Sequence, residues 1–185
     1  GKTMIEILLK RLSQSSEIDQ IVVATPSTQC DLPLVNHVQS LGYECFRGSE
    51  NDVLSRYVKA AKFFNADVVV RITGDCPLVD SRLVDECISR FRSLGVDYFS
   101  NIQPPSYPDG LDIEITTRNA LDIAFRLSKQ SFDREHVTSF IQRENKFKKA
   151  SLNNEEDLSH HRWTVDEPED LELIRQKALN SGASK

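Results

Sequence analysis

The stretch from Ala66 to Asp80, ADVVVRITGDCPLVD, constrains the fold of this chain more than any other. Val68, Val69, Val70 and Ile72 form a short apolar run rich in β-branched residues, the pattern of a strand buried on both faces of a parallel sheet. The run closes on Thr73-Gly74-Asp75, and Pro77 stops it from continuing. Asp75 is thereby expected at the carboxyl edge of the sheet, where open α/β folds bind their ligands. Asp80 and Ser81 are N-cap candidates for a helix over Arg82 to Leu94. Its Leu83, Val84, Cys87, Ile88, Phe91 and Leu94 recur at helical spacing until Gly95 closes it. Strand, acidic loop and helix make the central unit.

The rest of the chain extends this alternation. Met4, Ile5, Leu8, Leu9 and Leu12 mark an amphipathic helix over Thr3 to Ser13, with Thr3 as cap and Glu6 at capping-box distance. Gln20 to Thr25 reads as a buried strand, Asp31 to Leu41 as a helix, Tyr43 to Phe46 as a strand, and Val53 to Phe64 as a helix after the polar loop Arg47 to Asp52. Strict alternation predicts parallel strands joined by right-handed helical crossovers, hence an α/β/α sandwich on a mostly parallel central sheet. Beyond Gly95, Val96 to Ser100 is a strand, and Asn101 to Gly110, with three prolines, is an irregular loop. Leu111 to Thr117 alternates apolar and polar, which predicts one covered face and one open face shared by Asp112 and Glu114. Helices over Arg118 to Ser128 and about Arg134 to Glu144 follow, then strands near Lys148 to Leu152 and over Arg162 to Val165. A last helix begins at Pro168, with Leu171, Ile174, Ala178 and Leu179 inward. There is no internal repeat and no low-complexity linker, so residues 1–185 read as one domain.

Composition narrows the function. A chain of 185 residues, 39% hydrophobic, can bury about two-thirds of its unfolded surface without disulfides or a structural metal. A net charge of −5 with scattered basic residues argues against a nucleic-acid partner. The four cysteines lack C-x-x-C spacing and read as buried thiols in a reducing compartment, so the cytoplasm is expected. Uncharged apolar runs such as Ile21 to Ala24 are far too short to cross a membrane. The opening Gly1-Lys2-Thr3-Met4 enters a helix at once, as a piece of a longer protein would.

Asp75 and Asp166 each follow a strand at its carboxyl end, an arrangement suited to Mg²⁺, which takes one or two protein carboxylates plus substrate phosphates. Asp166 also fits as the cap of the last helix. Arg71, inside an apolar strand, needs either an acidic partner or a site to face. Arg47-Gly48-Ser49 offers backbone amides to an anion before a helix that carries Arg56, although Ser49 and Asp52 also fit a capping box. Arg134-Glu135-His136 is a charged helical triplet in which a structural histidine is the commoner role, and His160-His161 lacks partners at zinc spacing. P-loop, dinucleotide and serine-hydrolase motifs are absent.

Five pieces in register, FRGSENDVLSRY, ADVVVRITGDCPLVD, YPDGLDIEI, REHVTSFI and LSHHRWTVDEPEDLELI, closely resemble the branch of the cytidylyltransferase family that includes spore coat polysaccharide biosynthesis protein F. The resemblance implies a nucleotide-diphospho-sugar transferase (GT-A-like) fold. It also implies a reaction in which a sugar hydroxyl attacks the α-phosphate of CTP, giving a CMP-sugar and pyrophosphate for a surface polysaccharide. By the same resemblance Asp75 and Asp166 bind Mg²⁺ and form the catalytic group with Arg71. Ser49 and Arg56 contact the nucleotide, while Arg71, Asp109, Asp112, Glu114 and His136 line the acceptor side. Relatives are often dimers, so a homodimer is expected. Family members carry a further strand and a basic Arg/Gly/Ser loop ahead of the first helix, and these 185 residues do not include them. A glycosyltransferase of the same fold and a non-catalytic sugar-nucleotide-binding module are the competing readings.

Overall fold

The computed structural model describes residues 1–167, 169–172 and 174. It shows α1 (Met4–Leu12), β1 (Val22–Pro26), a 3₁₀ turn at Gln29–Asp31, α2 (Leu32–Ser40), β2 (Glu44–Gly48), α3 (Val53–Phe63), β3 (Val68–Arg71) and α4 (Ser81–Leu94). β4 (Tyr98–Ser100), β5 (Glu114–Thr117), α5 (Arg118–Leu127), α6 (Ser131–Glu135), α7 (Ser139–Arg143) and β6 (Lys149–Ser151) follow. The helix starts obey local chemistry. Thr3 Oγ1 accepts the Glu6 N–H at 3.3 Å, Asp52 caps α3 by accepting the Ser55 N–H, and Asp80 caps α4 by accepting from Arg82. Gly95, at φ +59°, closes α4 in the left-handed conformation that favours glycine.

The sheet is mixed rather than mostly parallel. β1 and β2 pair in parallel, and a second sheet runs in the order β3-β5-β4-β6. There β5 is antiparallel to both β3 and β4, while β4 and β6 are parallel. β3 is therefore not a central parallel strand. Its described partner is β5, and its first residue, Val68, is exposed. The apolar run of β3 is only half-buried, with Val68 exposed and Val69, Val70 and Ile72 packing partly against the two cores, so it is not the strand buried on both faces that its β-branched pattern predicts.

Alternating side chains send the second sheet's residues into two cores. Phe99, Ile113 and Ile115 pack with Leu8, Leu12, Val84, Cys87, Ile88 and Phe91 from α1 and α4. Tyr98 packs on the opposite face with Leu54, Leu121, Ala124, Phe140 and Ile141 from α3, α5 and α7. The alternation of Leu111 to Thr117 is thus real, but along β5 neither face is open: α5 and α7 cover the side predicted to be free and Glu114 is buried, whereas Asp112, ahead of β5, is only half-buried.

Two further expectations are corrected. The helix expected over Arg134 to Glu144 is two short helices, α6 and α7, broken where Val137 takes φ +57° and is itself buried. Arg162 to Val165 forms no strand; one parallel bridge joins Arg162 to Asp109. Residues 169–172 are helical, whereas Pro168, Ala178 and Leu179 of the expected last helix lie outside the described residues.

Candidate active site

The site is built at the carboxyl end of β3. Arg71, its last residue, stands opposite Glu114 in the β3/β5 register. Thr73 to Cys76 then form a tight turn in which the Cys76 N–H donates to the Thr73 carbonyl at 3.2 Å, leaving Asp75 half-buried at the edge. Burial, chiefly, pushes the Cys76 thiol up to about 12, so it remains an inert neighbour.

Two loops converge on this edge. The Val165 N–H donates to the Asp75 carbonyl at 2.9 Å, which sets the Asp166 segment alongside Asp75. The same segment is tied to the 109–111 loop: the Asp109 N–H donates to His161, and the Trp163 N–H donates to the Asp109 carbonyl at 2.6 Å. Gly110 is required at this crossing. It has φ +104°, and a Cβ there would lie 2.6 Å from the Trp163 carbonyl carbon. Asn101, almost fully buried, holds the next stretch by donating from Nδ2 to the Leu111 carbonyl and accepting the Ile113 N–H, both at 2.8 Å. Asp112 is carried between these two bonds.

Carboxylates dominate the electrostatics. Burial and then the nearby Asp109, Glu114 and Asp75 push the Asp112 carboxyl up to about 6, with Arg71 opposing. A surplus of negative charge of this kind is what a bound divalent cation offsets. Among the described residues no group of three or more metal-ligating side chains converges. Two carboxylates completed by phosphate oxygens and water is nevertheless the usual Mg²⁺ mode, and the donor set of Asp75 with Asp166 fits it. Asp166 itself is exposed and accepts from Arg162 Nη2 at 2.8 Å. Among the described residues no hydrogen bond makes Asp166 the cap of the last helix; Asp170, inside that helix, reaches back to accept the N–H groups of Asp166 and Glu167.

The other expected residues fall into three groups. Ser49 and Arg56 come together at the end of β2. Ser49 Oγ accepts the Asp52 N–H at 3.0 Å, one half of the expected capping box, while the Asp52 carboxylate caps α3 at Ser55 instead; the Ser49 carbonyl accepts from Arg56 Nη1 at 2.7 Å. Arg56 is 9% exposed and its buried Nε has no protein partner. Arg71 resolves to an ion pair, Nη1 to Glu114 Oε1 at 2.6 Å. Burial opposes its charge, but the Glu114 carboxylate, helped by Tyr57 and Tyr98, keeps the guanidinium protonated above its ordinary range. Glu114, at 4% exposure, cannot line an open acceptor face; it also accepts from Tyr98, Thr138 and Gln142. His136 stands apart, exposed and packed on the Phe132 ring with centroids 4.2 Å apart. Asp109 is exposed at the rim.

Sequence reasoning missed Tyr98, Asn101, Thr138 and Gln142. Asn101 and Tyr98 carried a weak signal as polar groups in or beside a strand. Thr138 lay within the REHVTSFI motif without being singled out, and Gln142 carried no signal, because their partners are distant in sequence.

The chain is 39% identical over 175 residues to an uncharacterised protein of Methanocaldococcus jannaschii, covering 93% of this chain and 71% of that one. It is 31% identical over 187 residues to the spore coat polysaccharide biosynthesis protein SpsF of Bacillus subtilis, covering 97% and 77%. Among solved structures, a cytidylyltransferase from Leptospira borgpetersenii superposes with a TM-score of 0.91 at 33% identity, covering 94% of this chain and 74% of that chain. A CMP:2-keto-3-deoxy-manno-octonic acid synthetase solved with CTP shares the fold at a TM-score of 0.72 and 15% identity, covering 98% and 89%. The family description that matches residues 1–181 is cytidylyltransferase. The chain belongs to the cytidylyltransferase family, and its fold is that of the nucleotide-diphospho-sugar transferases.

Proposed function

We propose that this protein transfers CMP from CTP to a sugar hydroxyl, releasing pyrophosphate, with Mg²⁺ held by Asp75 and Asp166, and that the CMP-sugar supplies a surface polysaccharide such as that of a spore coat. The observation that carries this reading is the 2.9 Å hydrogen bond from the Val165 N–H to the Asp75 carbonyl, which brings the two aspartate segments together at the ligand-binding edge of the sheet. When bound, the cation neutralises charge on the phosphate oxygens and polarises the attacking hydroxyl.

The chain's own residues supply position and charge. Asp75 and Asp166 present carboxylates from two segments that a backbone bond holds in register. Arg56, anchored on the Ser49 carbonyl, fixes the turn that opens α3 and brings a cation to the nucleotide side. Arg71 places a second cation near the anionic α-phosphate, where a preorganised guanidinium stabilises developing charge without reorganising. Asp109 and Asp112 face the acceptor, whose hydroxyls they can accept from. Glu114 acts behind Arg71 rather than on the acceptor, and His136 has no described contact with these groups.

A thermal-shift panel tests the reading: CTP, UTP, ATP and GTP, each with and without Mg²⁺, alongside intact CMP- and UDP-sugars. A ligand at about a hundred times its Kd adds about 2.7 kcal/mol, on the order of 5 to 10 °C in a chain of this size. The expected result is a shift of that size for CTP with Mg²⁺ and a much smaller one for the other triphosphates. A shift confined to UDP-sugars contradicts the proposal in favour of glycosyl transfer, and no shift with any nucleotide contradicts it outright.

A further inference from the structure

The α6–α7 elbow, which carries the REHVTSFI motif, touches both halves of the candidate site. Arg134 Nη2 pairs with Asp52 at 2.8 Å, and its Nη1 donates to the Phe125 carbonyl, so α6 braces the turn that carries Ser49 and Arg56. On the other limb, Thr138 Oγ1 donates to Glu114 Oε2, and Gln142 Nε2 donates to the same oxygen at 3.2 Å. Tyr98 O–H donates to it as well, at 2.8 Å, and accepts from Gln142 Nε2 at 2.9 Å. The two limbs are stapled by Arg143 and Ser139 donating to the buried Asp133. Glu114 therefore spends one oxygen on the elbow and β4, and the other on Arg71.

We propose that Thr138, Gln142 and Tyr98 are positioning residues that act through Glu114 to fix the Arg71 guanidinium for an anionic oxygen of the nucleotide. Two observations carry this. Three separate donors converge on Glu114 Oε2, so with Arg71 on the other oxygen both the position and the rotation of the carboxylate are fixed. Arg71 is held by it in a pose that leaves its buried Nε without a protein partner while a fifth of its side chain stays accessible. A guanidinium maximising its own hydrogen bonds would not adopt that pose; one held for its exposed edge would. Val137 supports the assignment. A β-branched residue at φ +57° is a strained conformation, and it turns the chain so that Thr138 meets Glu114.

The proposal rests on the nucleotidyl-transfer reading for its ligand but not for its geometry, so two readouts are taken on the full protein. The first is the affinity for CTP with Mg²⁺ by titration calorimetry. Thr138→Val should weaken it about tenfold, as expected for losing a hydrogen bond to a charged group, and Thr138→Ser should return it to within about twofold of the unaltered protein. In an Arg71→Lys background, Thr138→Val should cost less than about a further twofold, since its effect passes through that guanidinium. The second is the Arg71 Nε–H resonance, assigned by its loss in Arg71→Lys. It should be sharp and dispersed in the unaltered protein and in Thr138→Ser, and broadened in Thr138→Val. If Thr138→Val lowers only Tm, with affinity and resonance unchanged, or if the two substitutions multiply, the elbow is structural and the proposal fails. If the unaltered protein binds no CTP, the nucleotidyl reading fails, and the resonance alone decides the positioning role.

Discussion

Asp75→Ala is expected to reduce turnover by at least about a thousandfold, equivalent to about 4 kcal/mol of transition-state stabilisation, while leaving the fold intact. The separation of the two effects follows from how Asp75 is held. Its backbone carbonyl makes the structural bond to Val165, and alanine keeps it. Its carboxylate is half-buried, and its described side-chain contact is the weak Cys76 thiol at 3.6 Å. Removing it also relieves repulsion on Asp112. Thermal unfolding should thus stay within about 1 kcal/mol of the unaltered protein, the usual range where no buried group is orphaned. Full turnover by Asp75→Ala would refute the metal assignment, and a variant that unfolds would show that the carboxylate is structural.

Gly110→Ala is expected to do the opposite, damaging the fold first and the chemistry as a consequence. The new methyl would lie 2.6 Å from the Trp163 carbonyl carbon and 2.8 Å from both the Thr164 nitrogen and the Trp163 oxygen. All three are backbone atoms that cannot rotate away, and φ +104° is closed to alanine besides. The crossing of the 109–111 loop with the 161–165 segment must open, at a cost on the order of 3 kcal/mol, or a fall in Tm of about 6 to 12 °C. Since that segment delivers Asp166, turnover should fall even at temperatures where the variant remains folded. A Gly110→Ala protein with unaltered Tm and unaltered turnover would mean that the crossing does not organise the site.

These two positions also show what the residues disclosed in advance. Asp75 was legible because every signal was local: a β-branched run, a Gly-Asp turn and a capped amphipathic helix, which the structure forms as β3, the Thr73–Cys76 turn and α4. Gly110 was legible only as part of a proline-rich loop, because the backbone it must admit lies more than fifty residues downstream.

The same division explains the corrections. Strand pairing direction is a long-range property, so the apolar run of β3 suggested a parallel neighbour and gave no sign of β5. The alternation in β5 identified two faces, but whether a face is open depends on what covers it. Glu114 and Thr116 look solvent-facing in sequence and are buried because α5 and α7 arrive from later in the chain. The break at Val137 had no Gly or Pro to announce it. At Asp166 the local sequence fits cap and ligand alike, and the reach of Asp170 back to the Asp166 and Glu167 N–H groups is a side-chain detail that spacing does not announce. Family membership, by contrast, was readable from five motifs in register along the chain, without knowledge of how the strands pair.

The most direct test of the central claim is to follow the α-phosphorus of CTP. The protein is incubated with α-labelled CTP, Mg²⁺ and a panel of sugars, and the products are separated. The account predicts that for at least one sugar the label moves into a CMP-sugar with one pyrophosphate released per transfer, only when Mg²⁺ is present. Label that stays in CTP across the panel, while an intact sugar nucleotide is consumed by the same protein, would contradict it and make this member of the family a glycosyl-transferring enzyme instead.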